Sequence, residues 1–182
     1  VSGKDSLNNE FSFDNSDGQR ETISIPPSLL ISAMGQIDDV SKSITMDAKA
    51  ADNIVFIVGS TNNELGGSHL SLVRELKGGD VPQVNSLMAK QTFLQIHQAI
   101  QNRWIRSCHD LSEGGLAVAA AEMAMAGGLG MEIDISQVAN DLNATQLLFS
   151  ESNTRFLVET TPANADEFEQ LLRSADVPVC RL

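Results

Sequence analysis

No stretch of this sequence approaches the roughly 20 consecutive apolar residues that cross a bilayer. Its first residues lack the basic-then-apolar pattern of a signal peptide. Neither a membrane-spanning chain nor a membrane partner is expected. Basic residues are scarce, 12 against 24 acidic, for a net charge of −12. That balance excludes nonspecific attraction to nucleic acid or to anionic membranes. It leaves room for local phosphate binding by backbone N–H groups at a helix N-terminus, and an acidic protein of that kind would need Mg²⁺ to neutralise the phosphates. Cysteine is nearly absent. Cys108 and Cys180 form no Cys-x-x-Cys pair, which excludes a disulfide scaffold and favours two buried thiols in a reducing cytoplasm. Cys108 adjoins His109, but no second metal-like pair exists for a zinc site. Internal repeats and low-complexity tracts are also missing.

What remains is an ordinary apolar fraction of 42% in 182 residues, enough for one domain with a real core. Both ends read as cuts. The chain opens on Val1-Ser2-Gly3-Lys4, already inside a loop motif, and closes on the apolar, strand-like run Val177–Leu182. A fragment of a larger protein is expected.

Residues 1–10 read as a glycine loop and residues 14–22 as a polar, turn-rich connector. Pro26-Pro27 then blocks helix and starts an extended segment. Strands are expected at Leu29–Ile37, at Asn53–Gly59, whose unbroken apolar run suits burial on both faces, at Trp104–Cys108 and at Arg155–Glu159. Leu129–Ile135 alternates apolar and acidic residues, as a strand with one wet face does.

Helices are expected after Ser68 to about Leu76, over residues 84–102 with Met88, Phe93, Ile96 and Ile100 inward, and over Gly114–Ala126, which is rich in alanine. A last helix starts at Thr161-Pro162, with Thr161 as N-cap and Phe168, Leu171 and Leu172 on its apolar face. Several connections are too short for helical crossovers. The expectation is an α+β fold, a mixed sheet with helices packed on it, rather than a uniformly parallel one.

Three segments could carry chemistry. In His109–Leu116 a strand delivers Asp110, then Ser112, then Gly114-Gly115 at a helix start. Exposed N–H groups and glycines suit a phosphate, Ser112 can cap the helix and donate to a ligand, and Asp110 can hold Mg²⁺. The same residues would equally make a plain capped helix with tight helix–strand packing. Ser2-Gly3-Lys4-Asp5-Ser6 could hold a nucleotide phosphate and its metal, or form a solvated loop. Leu65-Gly66-Gly67-Ser68 could bind an anion or simply turn. His97 reads as a structural residue in mid-helix, and His109 as a group that orients Asp110 or its loop.

Taken together, Ser2–Glu10, Leu65–Ser68, His109–Leu116 running into the alanine-rich helix, and Leu148-Phe149-Ser150-Glu151 with Arg155 four on resemble, in order and spacing, the phosphoribosylformylglycinamidine synthase family. That family belongs with aminoimidazole ribonucleotide synthetase, selenophosphate synthetase, thiamine-monophosphate kinase and a hydrogenase-maturation protein. The resemblance implies an α/β sandwich like the C-terminal domain of aminoimidazole ribonucleotide synthetase, partly ferredoxin-like. Residues 1–24 would be the tail of a preceding N-terminal domain with its connector, and residues 25–182 the C-terminal domain of the enzyme's second homologous half.

It further implies ATP-dependent amidation of formylglycinamide ribonucleotide in the cytoplasm, with Mg²⁺ and with ammonia from a glutaminase domain or subunit, and a possible homo-oligomer. By position, Gly3, Ser112, Gly114 and Gly115 match nucleotide- or phosphate-binding residues. Ser6 matches a ligand-binding serine, here the substrate contact, and Asp110 matches a metal-linked aspartate. The opening Gly3-Lys4-Asp5-Ser6 departs from the Gly-Asn-Val-Ser usual in the short form of the enzyme, while Asn9-Glu10 resembles that form. Lys4 carries a positive charge, so Asp5 is the metal candidate there. The family's catalytic histidine lies outside this stretch, so these 182 residues by themselves are expected to lack synthetase activity.

Overall fold

In the run Ile54-Val55-Phe56-Ile57-Val58 alternate side chains point to opposite faces, yet both sets are apolar. Such a strand is stable only with a packed layer on each side. The computed structural model of the chain describes residues 10–24 and 32–182, and it has that arrangement. The chain divides into two compact units, residues 1–38 and 39–182.

In the second unit, strands β3 (Ile54–Val58), β4 (Ile105–Asp110), β5 (Phe156–Thr160) and β6 (Val179–Arg181) form a sheet in the order β4-β5-β3-β6. Every described ladder in it is antiparallel. Five helices accompany it: α1 (His69–Val73), α2 (Ser86–Gln101), α3 (Gly115–Gly127), α4 (Ala144–Phe149) and α5 (Ala165–Ser174). The units β3–α2–β4 and β5–α5–β6, with β5 lying between β3 and β4, make a split βαβ, ferredoxin-like sheet into which α3 and α4 are inserted. The α+β expectation holds.

One face of the sheet carries Phe56, Val58, Ile105 and Val158. These pack against Ile96 and Ala99 of α2 and Phe168 and Leu172 of α5. Phe56 and Phe168 meet edge to face, 5.2 Å between centroids. The other face carries Ile57 and Leu157 under Leu116, Ala119, Ala120 and Met123 of α3. Fully burying one such Phe, Leu or Met side chain contributes about 1.5–3 kcal/mol. The alanines of α3 let its backbone lie close to the strands.

The first unit differs from its expected turn-rich connector. Strands β1 (Glu10–Asp14) and β2 (Arg20–Ser24) pair as an antiparallel hairpin. Its turn is organised by the Asn15 side chain, which accepts from the N–H groups of Asp17 and Gln19. The polar stretch encodes that turn as well as a link.

Other expected elements also change. Residues 32–37 form no strand, because Met34 and Ile37 remain exposed and a ladder there would cover nothing; residues 29–31 lie outside the described residues. Leu129–Ile135 alternates as foreseen but pairs with no strand among the described residues. Met131, Ile133 and Ile135 pack on the α3-side core while Glu132 and Asp134 face out, so the alternation encodes burial and not a ladder. The turn at Pro162–Asn164 is 3-10, and Thr161 at its start makes no side-chain cap. His97 is exposed on α2 rather than packed. Both thiols are half-buried.

Glu159 in β5 is a buried carboxylate inside this sheet. It accepts from the N–H groups of Lys49 and Ala50 and from the side chains of Asn53 and Ser107. Burial pushes its carboxyl up, but hydrogen bonds from Ser107, Asn53, Lys49 and Ala50 outweigh that and hold it below the usual value of 4.5. A carboxyl depressed in the folded state stabilises above its unfolded pKa, and this contribution drains as the pH falls through the depressed value. Glu159→Gln is expected to cost about 2–3 kcal/mol in urea unfolding at pH 7, and to flatten the loss of stability that the native chain shows below about pH 4.5. Equal slopes for both proteins would contradict this.

Candidate functional site

The corner after β4 is built by two glycines with positive φ. Gly114 (φ 79°) precedes α3 and Gly115 (φ 62°) begins it. A Cβ on Gly115 would lie 2.5 Å from the Ser150 carbonyl oxygen, and one on Gly114 would collide with Val118. Both glycines are therefore required by the chain's own close packing. Their N–H groups are also committed: Gly114 donates to Glu151 Oε1 at 2.8 Å, and Gly115 to the Ser112 carbonyl at 3.1 Å. Ser112 does not cap α3. The N-cap position falls on Gly114, which has no side chain to do so.

Glu151 draws the three described segments together. The same Oε1 accepts the N–H of His69 at the start of α1, at 2.8 Å, and the Glu151 N–H donates to the Glu64 carbonyl at 3.2 Å. The turn Leu65–Ser68 is closed by its own groups, with Ser68 Oγ donating to the Leu65 carbonyl and accepting from Ser71 N–H. Behind Glu151 lies Arg155, almost wholly buried. Its guanidinium donates to Thr61 Oγ1 and to the carbonyls of Ser150 and Ser152, and its own carbonyl accepts from Leu111 N–H. Burial pulls its pKa down to about 10, against the support of Glu64 and Glu151, so it remains a cation at neutral pH.

Asp110, Ser112 and Glu113 stay exposed. They face an open groove of about 820 Å³ whose other wall includes Val84, Phe93 and Phe156. Glu113 is held below the usual range by its own backbone N–H and the Ser112 hydroxyl. Burial, aided by the Asp110 charge, pushes the Cys108 thiol up to about 12, so it is neither a thiolate nucleophile nor a ready metal ligand.

The groove thus presents three carboxylates, Asp110, Glu113 and Glu151, and the hydroxyls of Ser112 and Thr154, while the Arg155 guanidinium at its base is already committed to Thr61, Ser150 and Ser152. A bare phosphate would be repelled there. A phosphate bridged by a divalent cation fits the donor set, since Mg²⁺ commonly uses one or two carboxylates with phosphate oxygens and water. No group of three metal-ligating side chains occurs among the described residues. Asp110 and its described neighbours therefore form no closed metal site by themselves.

Gly3, Asp5 and Ser6 lie outside the described residues. Glu64 and Glu151, the organisers of the corner, carry no pattern of their own in the sequence. Their only signal was an acidic residue beside each glycine or serine turn.

Residues 50–182 match the family model described as AIR synthase related protein, C-terminal domain. Among curated proteins, the PurL subunit of phosphoribosylformylglycinamidine synthase from Azorhizobium caulinodans is 39% identical over all of this chain and 23% of its own length. The PurL subunit from Alkaliphilus metalliredigens is 36% identical over 88% of this chain and 21% of its own. The chain thus spans about a fifth of the length of these relatives. Among solved structures, Thermotoga maritima PurL complexed with FGAR superposes with a TM-score of 0.70 at 19% identity, over 78% of this chain and 25% of that one. The same protein complexed with ATP gives 0.64 at 17%, over 89% and 24%. At such identities the structures speak for the fold alone.

Arg155→Met is expected to destabilise the chain by about 3–5 kcal/mol, because it leaves Glu64, Glu151 and two carbonyls without their cation. In Glu151→Ala, hydrogen exchange at the amides of His69 and Gly114 should accelerate together. Independent or unchanged exchange would show that Glu151 does not join the two turns.

Proposed function

The chain belongs to the AIR synthase related protein, C-terminal domain, family, and from that premise we propose that it is the C-terminal-domain part of an ATP-dependent carbon–nitrogen ligase of purine biosynthesis. The reaction is conversion of formylglycinamide ribonucleotide to its amidine. ATP phosphorylates the glycinamide carbonyl oxygen, and ammonia adds to that carbon and displaces the phosphate, leaving the formyl group intact. A glutaminase domain or subunit supplies the ammonia, and the setting is cytoplasmic. Residues 25–182 are the C-terminal domain and residues 1–24 the tail of the domain before it. No described helix is long and apolar enough to cross a membrane.

The observation that carries this reading is the convergence of the Leu65–Ser68, His109–Leu116 and Ser150–Arg155 segments on one carboxylate, beside a groove that leaves Asp110 and Ser112 free. In that groove Asp110 holds the cation and Ser112 Oγ donates to a phosphate oxygen. Gly114 and Gly115 fix the corner that presents both. Mg²⁺, when bound, neutralises the phosphates of ATP. Glu151 keeps the two turns in register, and Arg155 balances its charge from behind. Gly3, Asp5 and Ser6 belong to the same reading, as nucleotide, metal and substrate contacts.

A second reading has the same site hold a nucleotide structurally while chemistry occurs elsewhere in the longer protein. Both readings predict that Asp110→Asn and Ser112→Ala in the full-length protein weaken binding of ADP with Mg²⁺ at least tenfold. They separate on turnover: in the first, ATP- and ammonia-dependent amidine formation falls in proportion to occupancy, and in the second it falls only with stability. Unchanged ADP affinity in both variants would remove both readings. The 182 residues alone should show no turnover.

A further inference from the structure

We propose that His109 and Asp110 form a two-donor half-site for a divalent transition cation, with Glu122 fixing the imidazole in the tautomer that can ligate. This rests on the reading of Asp110 as a metal-holding carboxylate and extends it to two residues which that reading leaves idle. His109 Nε2 lies 2.7 Å from Glu122 Oε2. An ionised carboxylate has no proton to give, so Nε2–H is the donor. In the neutral ring Nδ1 is then a lone pair, and it faces Asp110 Oδ1 at 3.5 Å. A lone pair and a carboxylate oxygen at that distance repel each other unless a proton or a metal cation lies between them, and a metal would displace the proton.

The spacing suits a metal cation. Two donors about 2.1 Å from a common ion at a near-tetrahedral angle sit about 3.4 Å apart. Glu122, on α3, stands where the outer carboxylate of a carboxylate–histidine–metal triad stands. Among the described residues no lysine or arginine pairs with Asp110 or Glu122. The ring is held, its side chain 14% exposed, while Asp110 at 71% is free to close on an ion. The remaining coordination positions go to water and to phosphate oxygens of the groove's ligand. An imidazole donor favours Zn²⁺ over Mg²⁺, and Mn²⁺, which takes carboxylate and phosphate oxygens as Mg²⁺ does, serves as the paramagnetic probe.

The probe is Mn²⁺ added to the full-length protein with ADP, its affinity read by electron paramagnetic resonance and its ligands by spin-echo modulation. The native protein should show coupling to an imidazole nitrogen. His109→Asn should abolish that coupling. Glu122→Gln, a change at a half-exposed side chain that leaves the melting temperature in place, should weaken Mn²⁺ about tenfold while metal-free ADP binding in EDTA stays unchanged. Coupling absent from the native protein, or surviving His109→Asn, overturns the proposal while the Asp110 reading stands. Unchanged Mn²⁺ affinity in Glu122→Gln overturns it too. Unchanged affinity in Asp110→Asn removes this proposal and the metal part of the proposed function together.

Discussion

The charge buried at Arg155 is the constraint that organises the functional end of this molecule. A guanidinium out of water demands that its donors and its charge be satisfied nearby. Thr61, Ser150 and Ser152 meet the donors, and Glu64 and Glu151 balance the charge. Those partners come from the loop after β3 and the loop before β5, while the Arg155 carbonyl holds Leu111 after β4. Three connections that would otherwise move separately are locked at one end of the sheet. The glycine corner of α3 is then placed by Glu151 and by close packing on Ser150.

That placement alters the chemistry the corner can do. Glycines at a helix start suggest an anion cradle made of free N–H groups. Here the N–H groups of Gly114 and Gly115 are committed within the chain, and an internal carboxylate stands where an external anion would. What faces the groove is acidic. The site is therefore suited to a cation-bridged phosphate and unsuited to a bare one. Asp110 and Ser112 are what the corner exposes to the groove, and the glycines are its frame.

Much of the sandwich was legible in the sequence because it rests on periodicity. The unbroken run of β3 signalled two covered faces, Gly114-Gly115 a tight helix–strand contact, and Phe168 and Leu172 the buried stripe of α5. What was not legible depends on chain closure. Glu151 binds amides 82 and 37 residues away, and Glu122 reaches His109 across 13. No local pattern marks such partners. The six-residue α4 was too short for a period, and Met131, Ile133 and Ile135 satisfied their alternation by packing alone. The opening loop bearing Gly3, Asp5 and Ser6 lies outside the described residues.

The central claim is that this corner takes phosphate only through a divalent cation. Titrating ADP into the full-length protein across a range of free Mg²⁺ tests it most directly. Affinity should rise at least tenfold from EDTA to saturating Mg²⁺, and Asp110→Asn should abolish the dependence. An ADP affinity indifferent to Mg²⁺, with Asp110 intact, would mean that backbone N–H groups hold the phosphate after all and would contradict the account.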